Sequence, residues 1–397
     1  MNIGIFTDTY KPDINGVTTS IEAFCGELEK QGHRVFIFAP NQSLSYKAMP
    51  QKRIWLAPSI KFYGEKRYRI ALPFPEWQDW LKLPLDIVHT QTPFGLGIIG
   101  LRIANKLKIP AVHTYHTFYE EYAHYLHLPP VISKPLAKRL VKIMAQQFLN
   151  RHDAIISPSL GMKRIILKYG LKKPVHVIPT GIDLEKTSRI AEIINTQNIL
   201  RKLGLSANDE IIVLTSRLGK EKNIGFILRA MKLVKKTNQR AKLLVIGDGS
   251  EKVALQNLAK TLGLQREVIF TGFMNHEAIF ALYKVAKVFV FSSLTETQGL
   301  VVLEAMAMGL PVVALQAMGI EDIMAGNKGG FMTEKNVVAF SQKIDLLLEN
   351  RKVHAQKKGW ALKLAKGFSL TEMTRRLLSV YKYCIKLKRP ARADNLV

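Results

Sequence analysis

The chain has 397 residues, a length that suggests two or three domains of ~150 residues each. Its residues are 47% hydrophobic and 22% charged, a composition typical of a globular protein rather than of a disordered chain. Its two cysteines, Cys25 and Cys384, exclude a disulfide framework and a cysteine-rich zinc module. Lysine and arginine total 58 against 31 acidic residues, so the formal net charge is +27, which favours polyanionic partners: anionic lipid, phosphorylated substrates or nucleic acid.

In the first half of the chain, short apolar runs alternate with helical segments, and the runs end in polar loops. The predicted strands lie at 3–6, 35–39, 86–89, 111–113 and 154–157, and the predicted helices include 17–31 and 96–107. Strands that alternate with helices predict a parallel sheet covered on both faces.

The same pattern restarts after residues 179–183. Strands are predicted at 211–215, 243–246, 268–270, 288–291 and 311–314, and helices at 224–235, 251–262 and 299–308, with another ending near 285. We therefore predict two doubly wound α/β domains. Ligands of such sheets lie beyond the carboxyl ends of the strands, so the cleft between the domains is the expected site.

No signal peptide follows Met1, and no apolar stretch approaches the ~20 residues of a membrane-spanning helix. We therefore expect a protein made and kept in the cytosol.

The sharpest motif runs from Glu296 to Glu304, from the loop after a strand into a helix. Gly299 lies where the helix begins, so its backbone can approach a ligand, and the helix N-terminus presents N–H groups to a phosphate. Glu304 could accept hydrogen bonds from sugar hydroxyls. The alternative, surface glutamates on an ordinary loop and helix, is disfavoured by the apolar neighbours of Glu304.

Arg217 and Lys222 follow another predicted strand, where two cations suit a diphosphate and can stabilise charge on a leaving group. A solvated loop of a basic protein explains them as well, and Glu221 could pair with either cation. Gly16 lies in a turn whose amides could approach a phosphate, although a plain tight turn is the simpler explanation. No G-x-G-x-x-G follows the first strand, which disfavours a nicotinamide dehydrogenase.

His113 and His116 end a strand among acidic and aromatic residues. They could act in acid–base chemistry, bind sugar hydroxyls or bind a metal, or form a structural pair. Because no third ligand accompanies them and the chain has no Asp-x-Asp motif, we expect neither a metal nor another cofactor.

A basic amphipathic helix is predicted at 131–149. Its cations are Lys134, Lys138, Arg139 and Lys142, and its apolar side chains are Leu136, Leu140, Ile143, Met144 and Phe148. Such a helix can lie on an anionic membrane, but a core-packed helix with a solvated face has the same pattern. An aromatic cluster (Tyr119, Tyr122 and Tyr125) precedes it, and a basic tail at 375–392 could add to membrane attraction. No nucleic-acid-binding motif is present, so we expect no nucleic acid partner.

Taken in order, these motifs resemble those of the family-four retaining glycosyltransferases. The segments that carry the resemblance are 6–12 with 15–17, 113–116, 179–183, 216–223, 247–249 and 296–304, so it covers nearly the whole chain. It implies the GT-B fold, two Rossmann-like doubly wound domains facing an inter-domain cleft. Residues 1–181 would form the acceptor- and membrane-binding domain and 182–374 the nucleotide-sugar domain, with a helix at 375–397 packing back on the first.

Within the family, segments 7–10, 113–125 and 295–300 are similar to bacterial diacylglycerol 3-glucosyltransferases. This resemblance implies transfer of glucose from UDP-glucose to the 3-hydroxyl of 1,2-diacylglycerol, with retention, by a basic peripheral protein on anionic lipids at the cytoplasmic membrane face. Residues 41–70 have no match in the pattern, so other acceptors stay open: a lipopolysaccharide core, phosphatidylinositol or a polysaccharide. Another nucleotide sugar, or a non-catalytic polyanion-binding protein, is also an alternative.

The resemblance also assigns roles to single residues. The catalytic set would be His116, Arg217, Lys222 and Glu296; the nucleotide sugar would contact Gly16, Arg217, Lys222, Asp248, Met274, Glu296, Gly299, Leu300, Val301 and Glu304. Arg217 and Lys222 would neutralise the diphosphate, Glu304 would hold the ribose, and Glu296 and His116 the donor sugar. The implied reaction is front-side attack by the acceptor hydroxyl, with the β-phosphate helping to take its proton.

Overall fold

The computed structural model describes residues 1–13, 15–61, 69–72, 74–117, 134–193 and 196–388. The chain divides into two units: Met1–Gly181 together with Leu370–Val397 form the first unit, and Ile182–Ser369 form the second. The aromatic cluster at Tyr119, Tyr122 and Tyr125, the Lys134 side chain and the tail beyond Lys388 lie outside the described residues.

A mostly parallel sheet lies at the centre of the first unit. Its strands are β1 (Asn2–Phe6), β2 (Arg34–Pro40), β3 (Lys47–Met49), β4 (Ile54–Ala57), β7 (Ile87–Thr90), β8 (Ala111–Thr114), β9 (Ala154–Ser157) and β10 (Val175–Val177), while β5 (Ser59–Lys61) and β6 (Arg69–Ala71) pair separately. The helices are α1 (Gly16–Lys30), α2 (Gly95–Leu107), α3 (Lys134–Leu149) and α4 (Leu160–Leu167), with 3-10 turns at Pro50–Lys52 and Pro75–Lys82. The strand order β10-β9-β8-β7-β1-β2-β4-β3 reverses at β1 and β7, the point where such sheets bind ligands.

The second unit contains a parallel sheet of order β13-β12-β11-β14-β15-β16. Its strands are β11 (Glu210–Thr215), β12 (Ala241–Ile246), β13 (Val268–Gly272), β14 (Val288–Phe291), β15 (Val312–Leu315) and β16 (Gly330–Thr333). The helices are α5 (Leu184–Ile193), α6 (Thr196–Lys202), α7 (Ile224–Thr237), α8 (Lys252–Thr261), α9 (His276–Val285), α10 (Leu300–Ala307), α11 (Met318–Met324), α12 (Val337–Glu349) and α13 (Arg351–Lys366), with a 3-10 turn at Lys220–Lys222. Here the order reverses between β11 and β14.

The last helix, α14 (Leu370–Lys388), completes the core of the first unit and begins before residue 375, the start expected from sequence. It packs with α1 over one face of the sheet, where Leu28, Leu377 and Tyr381 are fully buried. On the other face the Phe6 ring stacks on Phe38, with 4.2 Å between ring centroids. Burying each large apolar side chain contributes about 1.5–3 kcal/mol, so α14 is part of what stabilises the first unit.

Local sequence signals set the ends of the elements that carry the site. The side-chain oxygen of Asn15 accepts hydrogen bonds from the amides of Val17 and Thr18 at 3.0 Å, which caps the start of α1. At Gly97 in α2, a Cβ would lie 1.9 Å from the Thr92 carbonyl oxygen. Only glycine therefore lets α2 approach the end of β7 this closely.

Candidate active site

Two ion pairs lie where the strand order of the second unit reverses. Lys222, after β11, has its Nζ 2.7 Å from Oε2 of Glu296, which follows β14. Nη2 of Arg217 lies 2.5 Å from Oε1 of Glu221. Glu221 therefore pairs with Arg217, which the sequence left open, and the Lys222–Glu296 pair was not predicted. All four side chains are at most 22% exposed, so little solvent screens the two pairs.

Two buried serines hold the segment that carries these cations. The hydroxyl of Ser292 lies 2.8 Å from the Lys222 carbonyl oxygen and 3.0 Å from that of Asn223. The hydroxyl of Ser293 donates to the Glu221 carbonyl oxygen at 3.1 Å. Neither serine was predicted from the sequence, although two hydroxyl side chains directly after the apolar run of β14 were a visible signal.

The start of α10 is built as the motif predicts. Gly299 caps the helix at φ +85, a left-handed conformation that favours glycine, and a Cβ there would lie 2.6 Å from Cδ1 of Ile320. Leu300 and Val301 form the first turn, whose amides have no acceptor within the helix. The N-terminus of α10 therefore offers N–H donors and a partial positive charge to an anion.

Glu304 lies in the second turn of α10, among Val302, Leu303 and Ala305, which are fully buried. Burial raises the pKa of the Glu304 carboxyl to about 7. A carboxyl of this kind gains from hydrogen-bond donors, which stabilise its ionised form. The predicted contact with ribose hydroxyls would supply them.

The turn after β12 packs against the Arg217 loop. A Cβ on Gly247 would lie 1.9 Å from the Ser216 carbonyl oxygen, so glycine is required for this approach. The Asp248 carbonyl accepts from the Leu218 amide at 3.1 Å, while its carboxylate is exposed and pairs with Lys252 at 2.8 Å. Met274 is half-buried and packs against the core of the second unit. The predicted nucleotide contacts of Asp248 and Met274 stay predictions.

In the first unit, the loop after β1 leads into α1. Gly16, the first residue of α1, is exposed, and no atom lies within 4 Å of where its Cβ would stand. Asp8, at the end of β1, is fully buried; its Oδ1 accepts from the Leu96 amide at 2.9 Å and its Oδ2 from the Thr92 hydroxyl at 2.5 Å. Burial raises the pKa of Asp8 to about 6, and its hydrogen bonds join β1 to the start of α2.

His113 and His116, predicted as a pair, lie in two different environments. His113 is fully buried, with Nδ1 2.8 Å from the Thr90 hydroxyl and its ring edge-on to Phe148, as in a structural residue. Nε2 of His116 lies 2.6 Å from the amide oxygen of Gln91, so this nitrogen carries the proton of the neutral ring. Burial lowers the pKa of His116 to about 4. His116 is therefore a neutral hydrogen-bonding group at neutral pH.

The apolar face of α3 is largely exposed. Leu136, Leu140, Ile143 and Met144 are 40–69% exposed, whereas Phe148 is buried. Lys138 and Arg139 are exposed beside this face, and Nζ of Lys142 lies 5.5 Å from the centre of the Tyr169 ring. Within the described residues, the core-packed alternative holds only for the carboxyl-terminal part of this helix.

Among the described residues, no group of three or more histidine, cysteine, aspartate or glutamate side chains is arranged to hold a metal ion. The described helices include none that is long and apolar enough to cross a bilayer.

Comparisons with known proteins identify the family. The profile "Glycosyltransferase Family 4" matches residues 14–186 and "Glycosyl transferases group 1" matches residues 195–359. The alpha-monoglucosyldiacylglycerol synthase of Streptococcus pneumoniae is 41% identical over 318 residues, 79% of this chain and 71% of that protein. The chain belongs to glycosyltransferase family 4. The alpha-monoglucosyldiacylglycerol synthase of Acholeplasma laidlawii is 33% identical over 85% of both chains.

This glycosyltransferase has the GT-B fold predicted from its sequence. The structure of Anabaena Alr3699/HepE in complex with UDP superposes with a TM-score of 0.73 at 18% identity, covering 96% of this chain and 100% of that one. At 18% identity this structural similarity establishes only the fold. The roles of its single residues stay predictions.

Proposed function

We propose that the enzyme transfers glucose from UDP-glucose to the 3-hydroxyl of 1,2-diacylglycerol, with retention, at the inner face of the cell membrane. The observation that carries the chemistry is the Lys222–Glu296 pair beside the start of α10. Lys222 and the amides at the start of α10 can bind a diphosphate. The carboxylate of Glu296, beside them, can accept hydrogen bonds from sugar hydroxyls. The choice of diacylglycerol as acceptor is based on the names of the two relatives. The choice of UDP as nucleotide is supported by the neighbour of the same fold whose structure contains UDP.

The residues of the second unit supply the chemistry. Arg217, Lys222 and the amides of Leu300 and Val301 bind the diphosphate, Glu304 the ribose, and Glu296 the glucose. The bond from the anomeric carbon to the β-phosphate oxygen breaks as the acceptor hydroxyl attacks from the same face. The acceptor proton passes to the β-phosphate, and the cations stabilise the charge on departing UDP. For Gly16, Asp248, Met274 and His116 the proposal keeps the roles that the resemblance implies, and no metal takes part.

The surface of α3 supports action on a membrane lipid. Four large apolar side chains are exposed beside Lys138 and Arg139, a combination that suits the boundary between acyl chains and anionic headgroups.

The test is incubation of the purified protein with radiolabelled UDP-glucose and mixed micelles, with and without diacylglycerol, followed by lipid separation. We expect a labelled glucolipid that requires diacylglycerol and whose glucose retains the α configuration. If the label is transferred instead to lipopolysaccharide core, phosphatidylinositol or polysaccharide, that molecule is the acceptor and diacylglycerol is not. UDP binding without turnover on any acceptor would contradict the proposal.

A further inference from the structure

We propose that Glu221 is a positioning residue for Arg217: its carboxylate holds the guanidinium in the orientation in which it meets the diphosphate. This inference rests on the proposed function, in which Arg217 binds the diphosphate of the donor. Neither the motif nor the resemblance gives Glu221 a role.

The two partners of this ion pair differ in burial. The Glu221 side chain is 12% exposed and that of Arg217 is 22% exposed, so the carboxylate is the deeper partner. A guanidinium has five N–H donors in one plane, and one carboxylate accepts at most two of them in a fork. The contact at Nη2 therefore holds the guanidinium against the deeper carboxylate, and at least three of its five N–H groups are not used by Glu221.

The backbone of Glu221 is itself fixed. It lies within the 3-10 turn Lys220–Lys222, and its carbonyl accepts a hydrogen bond from Ser293, which is 1% exposed. The backbone that carries the Glu221 carboxylate is therefore hydrogen-bonded to a residue just after β14, the strand before Glu296. Arg217 is therefore held, through Glu221, to the end of the strand that leads to Glu296.

Gly219 makes room for this carboxylate. A Cβ on Gly219 would lie 2.5 Å from Oε2 and 2.6 Å from Oε1 of Glu221, closer than any real contact. The backbone of Gly219 is extended, with φ −112 and ψ 161, which an alanine adopts without strain. Gly219→Ala therefore displaces the carboxylate while leaving its charge and the backbone in place.

The experiment measures the dissociation constant of UDP by calorimetry on the full chain for Gly219→Ala, Glu221→Ala and the double variant. We expect each single variant to weaken UDP binding ~10-fold, the lower end of what loss of an outer orienting partner costs at metal sites. The double variant should bind like Glu221→Ala alone, because the new methyl group then has no carboxylate to displace. Glu221→Gln, which keeps an acceptor oxygen in place, should recover most of the affinity.

The control is Glu267→Ala, which breaks the Lys235–Glu267 pair of matching burial in the same unit and should leave UDP binding unchanged. Thermal unfolding of each variant verifies that it is folded. Tighter UDP binding by Glu221→Ala would show that the carboxylate competes with the diphosphate, and would overturn the inference. Unchanged binding in all variants, or additive losses in the double variant, would also overturn it. The UDP-binding experiment contains no acceptor. A failed glucolipid assay would therefore contradict the proposed function without changing the binding results.

Discussion

Tyr381 and His89 share a hydrogen bond inside the first unit, with 2.5 Å between the phenolic oxygen and Nδ1, although 292 positions separate them in the chain. His89 Nε2 lies 2.7 Å from the Thr114 hydroxyl, so both ring nitrogens are engaged. Burial lowers the pKa of His89 to about 3, and the ring is neutral. The pair ties α14 to the strands that precede His116.

The first prediction concerns this pair. Tyr381→Phe removes one partner of a fully buried imidazole, so we expect a loss of about 1–3 kcal/mol in the free energy of unfolding. Denaturant unfolding of the variant measures it. Tyr383→Phe is the matched control, because Tyr383 lies on the same helix and is 50% exposed; its change should stay within about 0.5 kcal/mol. Equal effects of the two substitutions would contradict the prediction.

The second prediction concerns Lys222. Lys222→Ala removes a cation from the developing charge on UDP and leaves Glu296 without this partner, so kcat/KM should fall ~10²–10³-fold, as for loss of one oxyanion donor. The assay is glucolipid formation. Lys235→Ala is the control, since Lys235 is ion-paired and 22% exposed, against 18% for Lys222. Near-normal turnover of Lys222→Ala would rule out the assigned role.

The third prediction is a pH dependence that Glu304 causes. Because its pKa in the unliganded protein is about 7 and a carboxylate accepts ribose hydroxyls better than a carboxyl does, ligand binding should lower that pKa. UDP affinity should therefore rise as the pH increases towards about 7 and level off above it. The measurement is UDP binding between pH 5.5 and 8 for the unaltered chain and Glu304→Gln. The ionisation of UDP itself contributes equally to both, so profiles of the same shape would refute the prediction.

The fourth prediction concerns the exposed face of α3. Lys138→Ala combined with Arg139→Ala should weaken binding to phosphatidylglycerol vesicles ~30-fold, at about 1 kcal/mol per charge. Met144→Glu should weaken binding to both phosphatidylglycerol and phosphatidylcholine vesicles, since it opposes apolar insertion. Vesicle flotation is the assay. Leu167→Glu is the control, because Leu167 is a 47% exposed leucine of the same unit on α4. Full binding by the α3 variants would remove this surface from the proposal.

Sequence periodicity predicted the sheets because buried parallel strands are continuous apolar runs, as the 3–6 run that forms β1 illustrates. It also predicted that Arg217, Lys222 and Glu296 follow strand ends. It did not predict the Lys222–Glu296 pair, because 74 positions separate the two residues and only the order of the strands in the sheet joins them. The sequence also could not show whether the apolar face of α3 packs in the core or lies on the surface, because an apolar stripe has the same spacing in both.

The place of α14 affects how the protein is made. The first unit takes part of its core from Met373, Leu377 and Tyr381, which leave the ribosome after the whole second unit has been synthesised. The second unit is one continuous segment, so all of its residues have been synthesised before α14 begins. The strands of the first unit must wait, with one face of their sheet only partly covered by α1, until the last residues of α14 arrive. A chain stopped at Ser369 would therefore leave exposed the part of that apolar face that α14 covers, which would make it a substrate for chaperones and proteases.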